Sequence, residues 1–235
     1  MSSQLLKTLV LLLLLFIAVT SANVDKTIFL GPAPKSTTHL KRSIGLSALP
    51  VLGPPQLPVA VQIARSFPLE TSSNGTETWL LLSDLEPARR YELRVGFPAT
   101  QPTRFGLETF TLEDVVNSPL LLSSCIAFAG SAAKRSLDAT LGAKRDVKQT
   151  TSLLFVRITA AANYFTTDKT LMQNPPPVDV DLALDPFILN ILPGSLLLTI
   201  GYIVALAISA WFLSDHIWIS LGGIKKECDT KSHKE

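Results

Sequence analysis

The chain has 235 residues, a formal net charge of +2 and a hydrophobic share of 47% against 17% charged residues. That near-neutral balance supplies no basic footprint for nucleic acid and no strong attraction to an anionic surface. Much of the apolar excess lies in two terminal segments, which predicts membrane targeting and a single sizeable domain between them.

Residues 5–19 (LLKTLVLLLLLFIAV) form a short apolar run after Lys7 and a few polar residues, and the small residues Thr20-Ser21-Ala22 follow it. This pattern predicts a secretory signal peptide over residues 1–22, cleaved after Ala22. Residues 23–185 then form a lumenal, β-rich domain. Within it, short aliphatic or β-branched runs alternate with Pro, Gly, Asn and Ser, and helical periodicity is scarce. Expected strands lie at residues 27–30, 59–64, 76–82, 90–97, 104–112 and 152–165. The proline-dense stretch 50–58 suits a linker or an edge. Strands at this spacing predict an all-β sandwich of the fibronectin III or immunoglobulin type.

The most specific segment is TWLLLSDLEPARRYELRVGF, residues 78–97. Leu85, Pro87 and Tyr91, followed by alternating Leu93 and Val95, resemble the tyrosine corner of fibronectin III domains. There a buried tyrosine bonds through its hydroxyl to backbone a few residues upstream. A plain hairpin with a tyrosine at its base is the competing reading. The usual core tryptophan on an earlier strand is missing, since Trp79 lies just before the corner.

Asn74-Gly75-Thr76 is a complete N-glycosylation sequon in a Ser/Asn/Gly-rich turn, and Asn-Gly also suits a tight turn. Residues 130–150 are small and polar, with Lys134-Arg135 and Lys144-Arg145 ten residues apart. They predict a flexible insertion or a short surface helix, with dibasic processing as the sharper alternative. Cys125 sits in an apolar stretch, where a buried free thiol or an intermolecular disulfide would fit. Cys228 falls beyond the second apolar segment, so the two cysteines do not pair.

Candidate chemistry is sparse. Only His39 among the three histidines precedes the C-terminal segment, and it has no nucleophile context or metal-ligand spacing. Asp179, Asp181 and Asp185 form one acidic cluster, read as a solvated stalk after Pro175-Pro176-Pro177. The sequence therefore nominates no catalytic, cofactor-binding or metal-binding residue, and no cofactor.

Residues 186–214 carry no charge. They divide into a juxtamembrane stretch at 186–190 and a transmembrane helix at 191–213, long enough for the roughly 30 Å of hydrocarbon in a bilayer. Asn190 and Pro193 suit the start of that helix. Lys225, Lys226, Lys231 and Lys234 follow it, so residues 214–235 are expected to be a cytoplasmic tail and the N-terminus lumenal: a single-pass type I topology. Gly201, Ala205 and Ser209 recur every four residues on one helix face, a pattern that lets helices pack closely in lipid.

Two short segments, Thr27-Ile28-Phe29-Leu30-Gly31-Pro32 and residues 91–107 (YELRVGFPATQPTRFGL), together with one C-terminal span, resemble a fungal family. That family is the accessory, non-catalytic subunit of glycosylphosphatidylinositol (GPI) mannosyltransferase II. The resemblance covers about a tenth of the chain; the 130–150 insertion and the fibronectin-like corner do not map onto that family. It implies an endoplasmic reticulum membrane protein, not itself an enzyme. Its implied partner is a multi-span glycosyltransferase, the catalytic subunit that adds the second mannose in GPI-anchor biosynthesis. Two other readings stay open: a type I adhesion or receptor-like surface protein with a fibronectin-type module, and a translocon-associated component of the reticulum.

Overall fold

The computed structural model describes residues 22–36, 49–54, 56–68, 74–131, 137, 141 and 150–232. The expected signal peptide lies outside the described residues apart from Ala22. Most of the 130–150 insertion does too, including both dibasic pairs. The chain divides into two compact units, residues 1–186 and 187–235.

The first unit is mostly β-sheet. One sheet contains β1 (Ala22–Leu30), β6 (Arg90–Pro98), β10 (Val178–Ile188) and β4 (Gln56–Ile63), with β10 between β6 and β4. A second sheet runs β3 (Val51–Leu52), β5 (Thr76–Leu82), β9 (Leu154–Ala162), β7 (Thr103–Phe110). Two-residue strands β2 (Lys35–Ser36) and β8 (Thr150–Thr151) pair separately. Pro58 lies on β4, which among the described strands pairs with β10 alone and so stands at the sheet edge, where a missing N–H is tolerated.

Both sheets feed one hydrophobic cluster. Tyr91, Leu93 and Val95 of β6 and Val180, Leu182 and Leu184 of β10 join Trp79, Leu80, Phe155 and Ile158 of the second sheet. Phe97 and Phe105 bring the sheets into contact, with ring centroids 4.9 Å apart. β6 and β10 follow the period of two expected where one face is solvated. In contrast, β5 and β9 are buried along nearly their whole length. Such continuous burial requires cover on both faces, and helices supply it on the side of Trp79.

These helices depart from the all-β expectation. α1 (Leu112–Asn117) opens on a Thr111/Asp114 capping box, which satisfies two otherwise orphaned N–H groups. α2 (Pro119–Ala129) is capped by Ser118 and starts on Pro119, where the missing N–H costs nothing. A third helix, α3 (Lys169–Gln173), is capped by Asp168. The strand expected over 104–112 therefore ends at Phe110.

The strand order also corrects the fibronectin/immunoglobulin expectation. In those domains the last strand of the sandwich pairs with the one before it; here β10, the last strand of the two large sheets, pairs with β6 and β4 instead of β9. Nor are Asp179, Asp181 and Asp185 a stalk. They alternate with Val178, Val180, Leu182 and Leu184, which are buried, so the segment is a central strand with its acids on the outer face.

In the second unit, β11 (Leu192–Pro193) pairs back on Phe187 and Ile188 at the end of β10. α4 then runs from Leu196 to Ser232. The helix thus starts five residues later than the expected span, and Pro193 is in a strand rather than a first helical turn. The cause is local: Leu189 and Asn190 both have positive φ, which closes a tight turn, and Pro193-Gly194 does not favour helix nucleation. Residues 196–218 are long and apolar enough to cross a membrane, extending about 34 Å at 1.5 Å per residue.

Candidate functional site

The corner between β5 and β6 joins the two sheets, so it is not a hairpin. Leu85 and Tyr91 are buried and Pro87 is exposed. The Glu86 N–H donates to the Tyr91 hydroxyl at 2.8 Å. The Tyr91 ring stacks on Phe29 at 5.9 Å. Asp84 and Ala88 take positive φ to make the bend. The end of β1 is tied to the same loop: Gly31 N–H donates to the Arg89 carbonyl at 2.8 Å, and Ala88 N–H donates to the Gly31 carbonyl at 2.9 Å. The three segments are held by backbone bonds, ring contacts and an Arg89–Glu86 ion pair.

Several charges of the first sheet are paired across its strands. Glu92 is buried between Lys26 at 3.3 Å and Arg94 at 3.6 Å, and Arg94 reaches Asp185 at 3.5 Å. Asp179 accepts from Gln101 at 2.9 Å and from Gln62 at 2.8 Å. These bonds, Gln101 first, hold its carboxyl below the usual carboxylate range. Two members of the acidic cluster, Asp179 and Asp185, are therefore tied to different partners. Among the described residues no three metal-ligating side chains converge.

On the helix-covered side, Trp79 is fully buried and its indole N–H donates to Ser124 at 3.0 Å. Ser124 donates to Glu77, and Arg157 bridges Glu77 and Glu108 beneath the Phe110 ring. Cys125, next along α2, is a buried free thiol. Desolvation raises its pKa from 9.0 to about 11, which makes it a poor nucleophile.

Arg65 carried no signal in the sequence. It is buried, and it donates to the carbonyls of Pro176 and Pro102 and to Thr103 while lying 5.1 Å from the Tyr164 ring. Its bonds fasten the β4 end to two loops distant in sequence. Desolvation lowers its pKa. A positioned guanidinium spending its donors on backbone carbonyls is a structural tie.

Asn74 is exposed at the turn leading into β5. Gly75 behind it has φ +79°, and a Cβ there would come within 2.1 Å of the Ala160 carbonyl oxygen. Thr76, the third sequon residue, is already the first residue of β5 and pairs with Ala160. The sequon is thus half turn and half strand.

Along α4, Gly201, Ala205 and Ser209 share one exposed face. A Cβ on Gly201 would meet nothing within 4 Å, and Ser209 satisfies its hydroxyl by donating to the Ala205 carbonyl at 2.8 Å. The face is consequently smooth and apolar. Trp211, Ser214, Asp215 and Trp218 line a shallow pocket further along the helix. Comparison of the chain with protein-family models, with curated proteins and with solved structures finds no match.

Proposed function

We propose that the chain is a non-catalytic accessory subunit of a multi-span glycosyltransferase in the endoplasmic reticulum membrane, with the GPI mannosyltransferase II complex as the specific assignment. In this reading the two sheets pack as a β-sandwich in the lumen. The chain crosses the membrane once, in type I orientation, through α4.

The observation that carries the reading is α4 itself. It is one apolar helix with a face of small residues, and side chains of the described span are exposed throughout. In lipid, where apolar surface gives no drive between helices, such a face associates through close backbone packing. The rest of the support is chemical: among the described residues, Arg65, Glu77, Glu92, Arg94, Arg157 and Asp179 are engaged in ties between strands and loops. The resemblance of residues 27–32 and 91–107 supplies the identity of the partner. A surface adhesion module is disfavoured, because the strand order is not that of a fibronectin domain.

Replacing Gly201 and Ala205 together by leucine tests the helix part. The pair is expected to reduce recovery of the transferase with the tagged chain several-fold, with chain abundance unchanged. Full recovery would remove the small-residue face as the contact.

A further inference from the structure

The turn between β10 and β11 has two features that are unfavourable in water. Ile191 N–H donates to the Ile188 carbonyl at 3.1 Å across Leu189 and Asn190, whose φ values are 53° and 57°. This is a tight turn in which both central residues are left-handed. Asparagine tolerates that region and glycine prefers it; leucine is a poor occupant. Leu189 is also 87% exposed and Ile191 77% exposed. A strained, solvent-facing leucine at a turn tip calls for an environment other than water.

Two further facts identify that environment. No charged residue lies between Asp185 and Asp215, so the hairpin meets its surroundings with apolar side chains and an amide alone. α4 begins at Leu196, five residues beyond Ile191 and seven beyond Leu189; at no more than about 3.5 Å per residue, Ile191 stays within about 17 Å of the helix start and Leu189 within about 25 Å. A helix that enters a bilayer at Leu196 therefore keeps this tip within reach of the membrane surface.

We infer that the β10–β11 hairpin is a membrane-interface anchor: Leu189 and Ile191 insert into the headgroup–acyl boundary of the leaflet that α4 enters, and the occupant of this surface is phospholipid. The inference rests on the reading of α4 as a span. With no charge on the hairpin, insertion does not require anionic lipid, unlike basic interfacial segments.

Spin labelling of the full chain in phosphatidylcholine vesicles tests it. A Cys228→Ser background leaves only buried Cys125, which resists labelling. Single labels are placed at Leu189→Cys and Ile191→Cys, with Ala99→Cys in the exposed β6–β7 turn and Ile203→Cys within α4 as references. Ile191 is not a positive-φ position, so its label leaves the turn chemistry intact. The expected result is a several-fold higher ratio of oxygen to nickel-complex collisions at 189 and 191 than at 99, below that at 203, and unchanged by added phosphatidylserine. Labels at 189 and 191 that match 99 while 203 reports hydrocarbon would overturn the anchor and leave the span standing. An aqueous signal at 203 as well would overturn both. Labels at 189 and 191 shielded from both reagents would mean protein cover and would overturn the lipid assignment.

Discussion

The carbonyl oxygen of Glu86 lies 2.1 Å from the point where a Cβ on Gly31 would sit. The end of β1 and the corner between the sheets are thus in backbone-to-backbone contact, locked by the two hydrogen bonds that join Gly31 to Ala88 and Arg89. Backbone cannot move aside as a flexible side chain can. Gly31→Ala is therefore expected to destabilise the first unit by about 2–3 kcal/mol, in the range of overpacked sites. Cys125 supplies the readout: its rate of modification by a thiol reagent, in the Cys228→Ser background, reports opening of that unit. A Gly31→Ala rate equal to that of the parent would contradict the contact.

Tyr91 separates ring from hydroxyl. Tyr91→Phe keeps the stack on Phe29 and loses only the bond from the Glu86 N–H, a change of about 1 kcal/mol. Because Glu86 is exposed, water can solvate the freed donor. Tyr91→Ala leaves a hole in the core and should cost about 3–5 kcal/mol. Denaturation midpoints of the two variants should therefore fall in clearly separate ranges.

The Asp179 carboxyl is held low by Gln101 and Gln62. A carboxylate with a depressed folded pKa adds stability above its unfolded value, and that stability is lost as pH falls through the folded pKa. Gln101→Ala removes the larger cause, so the Asp179 titration should move up toward 3.8, the ordinary value. Carbon-detected NMR of the carboxyl checks this directly. An unchanged titration in Gln101→Ala would show that the clamp does not act in solution.

Cys125 predicts the opposite limb. Its folded pKa of about 11 stands above the ordinary 9.0, so the native state retains a proton that the unfolded chain has already released. Stability from this group is complete below pH 9 and declines as pH rises toward 11. Cys125→Ala should flatten that alkaline decline in a pH series of unfolding midpoints. A slope identical to the parent's would refute the burial of the thiol as its source.

Legibility in the sequence followed from how local each signal was. β5 occupies residues 76–82 as expected because its apolar run is bounded by Asn74-Gly75 and by Ser83-Asp84. β10 was obscured by its acids, although Val-Asp-Val-Asp-Leu-Ala-Leu-Asp is largely a period-two pattern, and the acids merely mark its solvated face. α2 is apolar on nearly every side (PLLLSSCIAFA), so periodicity could not reveal it, but Ser118-Pro119 and the Thr111/Asp114 box were readable start signals. The β10–β11 hairpin merged with the membrane segment because counting apolar residues does not distinguish strand from helix. Arg65 was not readable at all, since its acceptors lie 37 to 111 residues away. Of the candidate surfaces, the Gly201/Ala205/Ser209 face depends only on helical period, which is why the sequence sufficed to align it.

The most direct test of the central claim is crosslinking of the full chain in native membranes, followed by identification of what is attached. An accessory subunit predicts a multi-span mannosyltransferase as the principal adduct, reduced when Gly201 and Ala205 are both replaced by leucine. Adducts that consist of translocon or cell-surface proteins, with no glycosyltransferase among them, would contradict it.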